Sequence, residues 1–277
     1  MGKLQQIPFS EETLYGALHR FFSNEGYQCR GEVKHCDLSA RRGEEWLIVE
    51  IKKQMSLKLV AQALKRRAFC PMVYVAIPRP DKIRRGTPYA DFKLLTRELG
   101  LGLILISFVS NDPAFSQVQI IHPPKPKKIS GKTKPTKKAR AFQKEWDGRS
   151  GDYNAGGTSG RKLITAYREA AVQIAVILER LGPQSPKSIR EAGGPEKTLP
   201  ILYHDVYRWF LHLRPGIYDL AEKGRVEIRE TYSAIADLYR KKFFGGQSEI
   251  LAASFKKVKT VSKTGSPGKR RFQKTVA

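Results

Sequence analysis

The feature that most constrains this chain is a pair of alternating segments, HCDLSA and EWLIVEIK, joined by Arg41-Arg42-Gly43-Glu44. Short runs of alternating apolar and polar character read as half-buried strands, and a two-residue Gly43-Glu44 loop suits a type II′ hairpin with Arg42 opposite Glu45. Side chains alternate between the faces of a sheet, so this register sets Asp37 opposite Glu50, with Lys52 two residues further along the same face. His35, Asp37 and Ser39 make a polar row, Cys36, Leu38 and Ala40 an apolar one, and Leu47, Val49 and Ile51 fill the other face of the partner strand.

Two carboxylates held together among apolar neighbours require neutralisation. Mg²⁺ suits them, because it takes one or two carboxylates and completes its shell with water and substrate phosphate; Mn²⁺ is the alternative. Such an ion polarises a phosphodiester and activates water, and Lys52 is placed to position that water or to screen charge developing on the phosphate.

The surrounding sequence predicts an α/β domain. Ser10 can cap a helix whose first turn holds Glu11 and Glu12 and whose apolar stripe is Leu14, Leu18, Phe21 and Phe22. Strands are expected at Tyr27 to Val33, His35 to Ala40 and Glu45 to Lys52, then a helix from about Ser56 to Ala68, the strand MVYVAI, a helix from Asp91 to Leu99 and the strand LGLILISF. These elements form a mixed sheet flanked by helices. Cys29, Cys36 and Cys70 form no CxxC pair and are odd in number, which fits reduced thiols in a core. The five histidines show no zinc-ligand spacing.

Charge divides the chain. Lys and Arg number 51 against 26 Asp and Glu, a net charge of +25, which points to polyanions, nucleic acid first and an anionic membrane surface second. No apolar run reaches the length of a membrane span and the N-terminus lacks an apolar signal core, so a cytoplasmic protein is expected. Residues 123–151 carry ten basic and two acidic side chains, and residues 251–277 carry eight basic and none acidic. The expected organisation is a domain over 1–122, a basic Pro/Lys/Gly-rich linker over 123–160, a second domain over 161–250 and a disordered basic tail over 251–277.

In the second domain, Leu163, Tyr167, Ala170, Ile174, Leu178 and Leu181 draw a helical stripe, and Ser185-Pro186 opens a short helix to Ala192. After Gly193-Gly194 a longer helix is expected, capped at Thr198, with Leu199, Leu202, Val206, Trp209 or Phe210, and Leu213 inward. RPGIYDLAEKG then supplies an extended segment resembling the wing of a winged-helix domain. A DNA-binding version would present Lys197, Tyr203, His204, Tyr207 and Arg208 to a groove or its phosphates. A protein-interaction or dimerisation role is the alternative, since this region's own charge is small. Asp152, Asn154, Gly156 and Gly157 read either as a phosphate-facing loop or as turn residues.

Asp37, then Glu50-Ile51-Lys52 on an apolar strand, behind a helix bearing Glu11, resembles the core of the PD-(D/E)XK nuclease superfamily. More narrowly, EETLYGALHRFFSNEGYQCRGEV, CDLSARRGEEWLIVEIK, VYVAIPRP, LGLGLILIS and GDYNAGGTSGRKLITAYR resemble an uncharacterised bacterial family of predicted PD-(D/E)XK phosphodiesterases, over most of residues 10 to 240. The resemblance implies a restriction-endonuclease-like fold, with a smaller, mainly α winged-helix-like domain following. It implies Asp37 and Glu50 as metal ligands, Lys52 as the catalytic lysine, Glu11 as a further ligand and Gln62 as a glutamine beside the site; the alternative for Gln62 is a helix-surface residue. Cys36 stands where the superfamily has the proline of its name. The expected function is a metal-dependent phosphodiesterase acting on nucleic acid, a DNA nuclease, with a homodimer among the assemblies such enzymes adopt. The alternative is a catalytically inactive nucleic-acid-binding or regulatory protein.

Overall fold

The computed structural model describes residues 10–108, 115–126, 136–156 and 162–245. The chain divides into two compact units, residues 1–169 and 170–277.

In the first unit, Ser10 caps α1 (Glu11–Asn24), its hydroxyl accepting from the Thr13 amide at 3.0 Å. Glu11 and Glu12 stand in the first turn, where the helix dipole favours negative charge. Six strands follow: β1 (Gln28–Val33), β2 (Cys36–Arg42), β3 (Glu45–Ile51), β4 (Met72–Pro78), β5 (Gly102–Phe108) and β6 (Ser116–His122). They form one mixed sheet in the order β1-β2-β3-β4-β5-β6. β1 to β3 are antiparallel, β3, β4 and β5 parallel, and β6 returns antiparallel. The parallel steps are bridged by α2 (Leu57–Arg66) and α3 (Pro88–Glu98). The β2–β3 hairpin has the expected register, Arg42 facing Glu45 and Leu38 facing Val49, and the positive φ falls on Gly43 as a type II′ turn requires.

Both sheet faces are covered, which explains the nearly continuous apolar runs of β4 and β5. α1 packs Leu14, Tyr15, Leu18 and Phe22 with Leu38, Leu47, Val49, Ile51, Ile104 and Ile106. On the other face, Leu59, Val60 and Ala63 of α2 and Tyr89 and Phe92 of α3 pack with Ile48, Val73, Val75, Leu103 and Leu105. Cys29, Cys36 and Cys70 are free and buried.

The expected linker is in part folded. α4 (Lys137–Asp147) buries Phe142 and Trp146, one helical turn apart, in the cluster under α2 and α3. Arg149, 3 % exposed, donates to the carbonyls of Gly31 and Glu32 at 2.9 Å each. Average composition over 123–160 concealed two aromatic anchors at helical spacing. The tail at 251–277 lies outside the described residues.

The second unit takes up α5 (Ala166–Leu181) from its fifth residue, then α6 (Pro186–Glu191), α7 (Thr198–His204), the antiparallel hairpin β7 (Phe210–Arg214) and β8 (Ile217–Leu220), α8 (Glu222–Glu230) and α9 (Ser233–Phe244). Gln184, between α5 and α6, bridges to Tyr218 of β8. α7 is shorter than its apolar spacing predicts. Asp205 adopts a left-handed conformation (φ 35°, ψ 54°), and its carboxylate accepts the amides of Trp209 at 2.8 Å and Phe210 at 3.1 Å. That turn stops the helix and redirects the chain into β7. Ile201, Leu202, Trp209 and Phe210 are therefore buried, while Leu199, Val206 and Leu213, expected inward, are exposed. Thr198 is the first helical residue rather than the cap, and its hydroxyl donates to the Pro195 carbonyl. Tyr207 and Arg208 lie beyond α7, not on its outer face.

Candidate active site

The site forms where β2 and β3 open beyond their last shared pair. Asp37 and Glu50 are the next residues past Leu38 and Val49, and both are buried, Glu50 completely. One Asp37 oxygen, Oδ2, accepts the Ile51 amide at 2.8 Å. Lys52, just past β3, donates through Nζ to both oxygens of Glu11 at 2.9 and 3.0 Å. Arg66, the last residue of α2, donates through Nε to Glu50 Oε1 at 2.7 Å and through Nη2 to the His35 carbonyl at 2.5 Å. Two ion pairs, Glu11–Lys52 and Glu50–Arg66, thus lie near enough to Asp37 for the charges of Lys52, Glu11 and Arg66 to act on its carboxyl.

Their charges are unbalanced by burial. Loss of water pushes the Glu50 carboxyl up to about 7, the Asp37 charge adds to the rise, and Arg66 opposes it. Burial raises Asp37 as well, against the Ile51 amide and the charge of Lys52. For Lys52, burial works downward, but the bond to Glu11 and the charges of Asp37, Glu11 and Glu50 prevail and raise it. A carboxylate pair pushed upward by shared burial is characteristic of functional sites.

Three buried polar atoms here lack a hydrogen-bond partner among the described residues: Glu50 Oε2, Gln62 Oε1 and Ser39 Oγ. Gln62 lies one turn before Arg66 on α2. Buried acceptors are rarely left unsatisfied without a reason, and an unpartnered Glu50 oxygen beside Asp37 is a donor set that fits a hard divalent cation. Among the described residues, no group of three or more His, Cys, Asp and Glu side chains gathers as a metal site. Both Glu11 oxygens accept from Lys52, so a metal bound by Glu11 would share this carboxylate with the Lys52 ammonium.

Two features escaped sequence reasoning. The first is Arg66, whose signal is its helical spacing from Gln62. The second is the segment before Gly156, which is built into the fold. Asp152 accepts the Gly31 amide at 2.8 Å and the Tyr15 hydroxyl, and lies 3.3 Å from Nε2 of His19. Burial alone would raise its carboxyl, yet these hydrogen bonds hold it below the usual carboxylate range. Asn154 exchanges two hydrogen bonds with the backbone of Ile164 at 2.8 and 2.9 Å. Gly31 passes so close to the Asn154 carbonyl that only a hydrogen fits between them. Gly157 lies outside the described residues.

The residues expected to meet nucleic acid are all in the second unit. Lys197 occupies the N-cap position of α7 without a side-chain capping bond and is exposed, and Tyr203 and His204 stand exposed on its last turn. Tyr207 lies 5.0 Å from the Trp209 ring and its carbonyl accepts from Lys223 at 2.9 Å, while Arg208 is exposed with φ 57°.

A six-stranded mixed sheet flanked by helices, with a carboxylate pair at the end of its hairpin, defines an α/β protein consistent with a restriction-endonuclease-like fold. Residues 104–227, from β5 into α8, match the family model described as "Putative PD-(D/E)XK phosphodiesterase (DUF2161)". The match is narrower than the likeness over residues 10 to 240; it includes Asp152, Asn154 and Gly156 and begins after Asp37, Glu50 and Lys52. No curated protein and no solved structure matches the chain. No helix among the described residues is long and apolar enough to cross a membrane.

Proposed function

We propose that the protein is a metal-dependent phosphodiesterase that hydrolyses nucleic acid, DNA in the first instance. The observation that carries this reading is the Asp37–Glu50 pair: two buried carboxylates at one hairpin end, with a Glu50 oxygen left unpartnered among the described residues and Lys52 two positions further on. Asp37 and Glu50 would hold Mg²⁺ or Mn²⁺, which when bound supplies Lewis-acid stabilisation of the phosphate and a more acidic water. Lys52, aimed by Glu11, places a positive charge where negative charge develops on the phosphate. Gln62 Oε1, an acceptor without a partner among the described residues, is suited to hold the attacking water by one of its protons.

The substrate class rests on charge and topology. The excess of 25 positive charges favours a polyanion, and the basic segments would add salt-sensitive phosphate contacts independent of sequence. In the second unit, the succession of helix, bridge, two short helices and hairpin supports a winged-helix reading. In that reading α7, with Lys197 and Tyr203, meets the nucleic acid, and Tyr207 and Arg208 follow at its edge.

The test compares wild type with Lys52→Ala on labelled single-stranded, duplex and branched DNA and on RNA, with Mg²⁺, Mn²⁺ or EDTA. Cleavage that needs metal and is lost in the variant is the expected result. Binding without cleavage of any substrate by wild type would replace this reading with that of an inactive nucleic-acid-binding protein.

A further inference from the structure

We infer that Arg66 is a positioning residue that decides which oxygen of Glu50 is presented to the metal, an inference that rests on the metal-dependent reading above. Its guanidinium reaches two acceptors on different elements: Oε1 of Glu50 on β3 at 2.7 Å and the His35 carbonyl at 2.5 Å. His35 belongs to the tight turn between β1 and β2, where Lys34 and His35 both take positive φ (50° and 64°), and Asp37 follows two residues later. One planar group therefore ties the carboxylate of Glu50 to the turn that delivers Asp37.

The consequence is directional. Oε1 accepts from Arg66, whereas Oε2 is buried without a hydrogen-bond partner among the described residues and is the oxygen free of any competing donor. A guanidinium forms hydrogen bonds in a fixed plane, and with its Nη2 anchored on the His35 carbonyl its Nε holds Oε1 at a set position as well as balancing its charge. Glu50 is fully buried and the Arg66 side chain is 17 % exposed, so water competes little for either partner. Partners of this kind behind a metal ligand usually set affinity through geometry.

A plain counter-ion would neutralise Glu50 equally well and makes the opposite prediction. If Arg66 served only as a charge, Arg66→Lys would preserve its effect, and Arg66→Gln would tighten metal binding by removing a competing cation. Positioning predicts that both substitutions weaken it, because neither an ammonium nor the shorter carboxamide can span Glu50 Oε1 and the His35 carbonyl with a rigid planar fork.

The experiment is a titration of the full chain with Mn²⁺ alone, free ion being followed by electron paramagnetic resonance, with thermal melts on each variant. A net charge of +25 disfavours diffuse cation binding, so saturable uptake reports a built site. The expected result is uptake by wild type, its loss in Asp37→Asn, and affinity lower by roughly 10- to 100-fold in Arg66→Lys and Arg66→Gln. Wild-type affinity in a folded Arg66→Lys, or tighter binding in Arg66→Gln, would overturn the inference while leaving the metal reading intact. Should Arg66→Gln fail to fold, Arg66→Lys, which keeps the charge, decides alone. Uptake by wild type no better than by Asp37→Asn would instead remove the metal reading and the inference with it.

Discussion

The backbone of Gly156 lies against the carbonyl of Asp37, so closely that a β-carbon at 156 would stand 2.2 Å from that oxygen and 2.6 Å from the Tyr15 ring. A segment distant in sequence thereby buttresses the strand that carries the first carboxylate of the candidate site. Gly156→Ala must displace backbone rather than the end of a flexible side chain, and overpacking of this kind costs roughly 1–3 kcal/mol. We expect a lower Tm and weaker Mn²⁺ uptake in Gly156→Ala. A variant with wild-type stability and uptake would show that this contact does not position Asp37.

The pairing of Glu11 with Lys52 makes their substitutions separable. Lys52→Ala removes the charge proposed to face the phosphate, and cleavage should fall by roughly 10²–10³-fold with nucleic-acid binding retained. Glu11→Gln leaves Lys52 charged but loosely aimed, so a smaller loss is expected, with Mn²⁺ affinity close to wild type. An affinity loss in Glu11→Gln as severe as in Asp37→Asn would place Glu11 in the metal shell, as the family resemblance implies.

Asp152 predicts an acid limit to stability. Hydrogen bonds from His19, the Gly31 amide and Tyr15 outweigh burial and hold its folded pKa below 3.8, the ordinary value. A depressed carboxyl contributes fully above the unfolded pKa, and the contribution disappears as pH falls through the folded one. Asp152→Asn should therefore be less stable than wild type by roughly 1–3 kcal/mol at neutral pH. The difference should shrink below about pH 4, where wild type itself is protonated in the unfolded chain. Denaturant melts of both proteins from pH 7 to pH 3 measure it, and a gap independent of pH would exclude the carboxylate as its source.

How much of this was legible in the sequence depends on the range of the forces involved. The hairpin was readable because alternation and a Gly-containing two-residue loop fix a register locally, and Asp37, Glu50 and Lys52 follow from that register. The Ser10 cap, the reduced cysteines and a mixed sheet flanked by helices were accessible from local sequence as well. Arg66 was not, because its partner is 16 residues away and its role depends on the packing of α2 against β3. Nor was the Asp152 anchorage, which spans 121 residues to Gly31. α7 was misread because Leu199, Leu202, Val206 and Leu213 mimic a helical stripe, whereas a single aspartate decides where that helix stops.

α4 tests the other misreading, that composition alone makes residues 123–160 a linker. Trp146 is 2 % exposed, its ring 5.0 Å from Trp46, with the Arg30 guanidinium over its face at 4.7 Å. Trp146→Ala should destabilise the first unit by roughly 3–5 kcal/mol, the usual cost of emptying a large aromatic site. A chain ending at residue 122 should expose the same apolar face of the sheet and aggregate. A cooperative melt of that fragment at the wild-type temperature would return the segment to the status of a linker.

Asp205 offers the corresponding test in the second unit. Its left-handed backbone is tolerated by aspartate better than by alanine, and its two carboxylate bonds satisfy the amides that open β7. Asp205→Ala loses both the acceptors and the conformational tolerance, for a cost of roughly 2–4 kcal/mol. Asp205→Gly loses only the acceptors and should be the milder change. Amide exchange should report the loss at Trp209 and Phe210 first, with protection in β2 and β3 unaltered. Equal melts for the alanine and glycine variants would mean that the carboxylate alone ends α7.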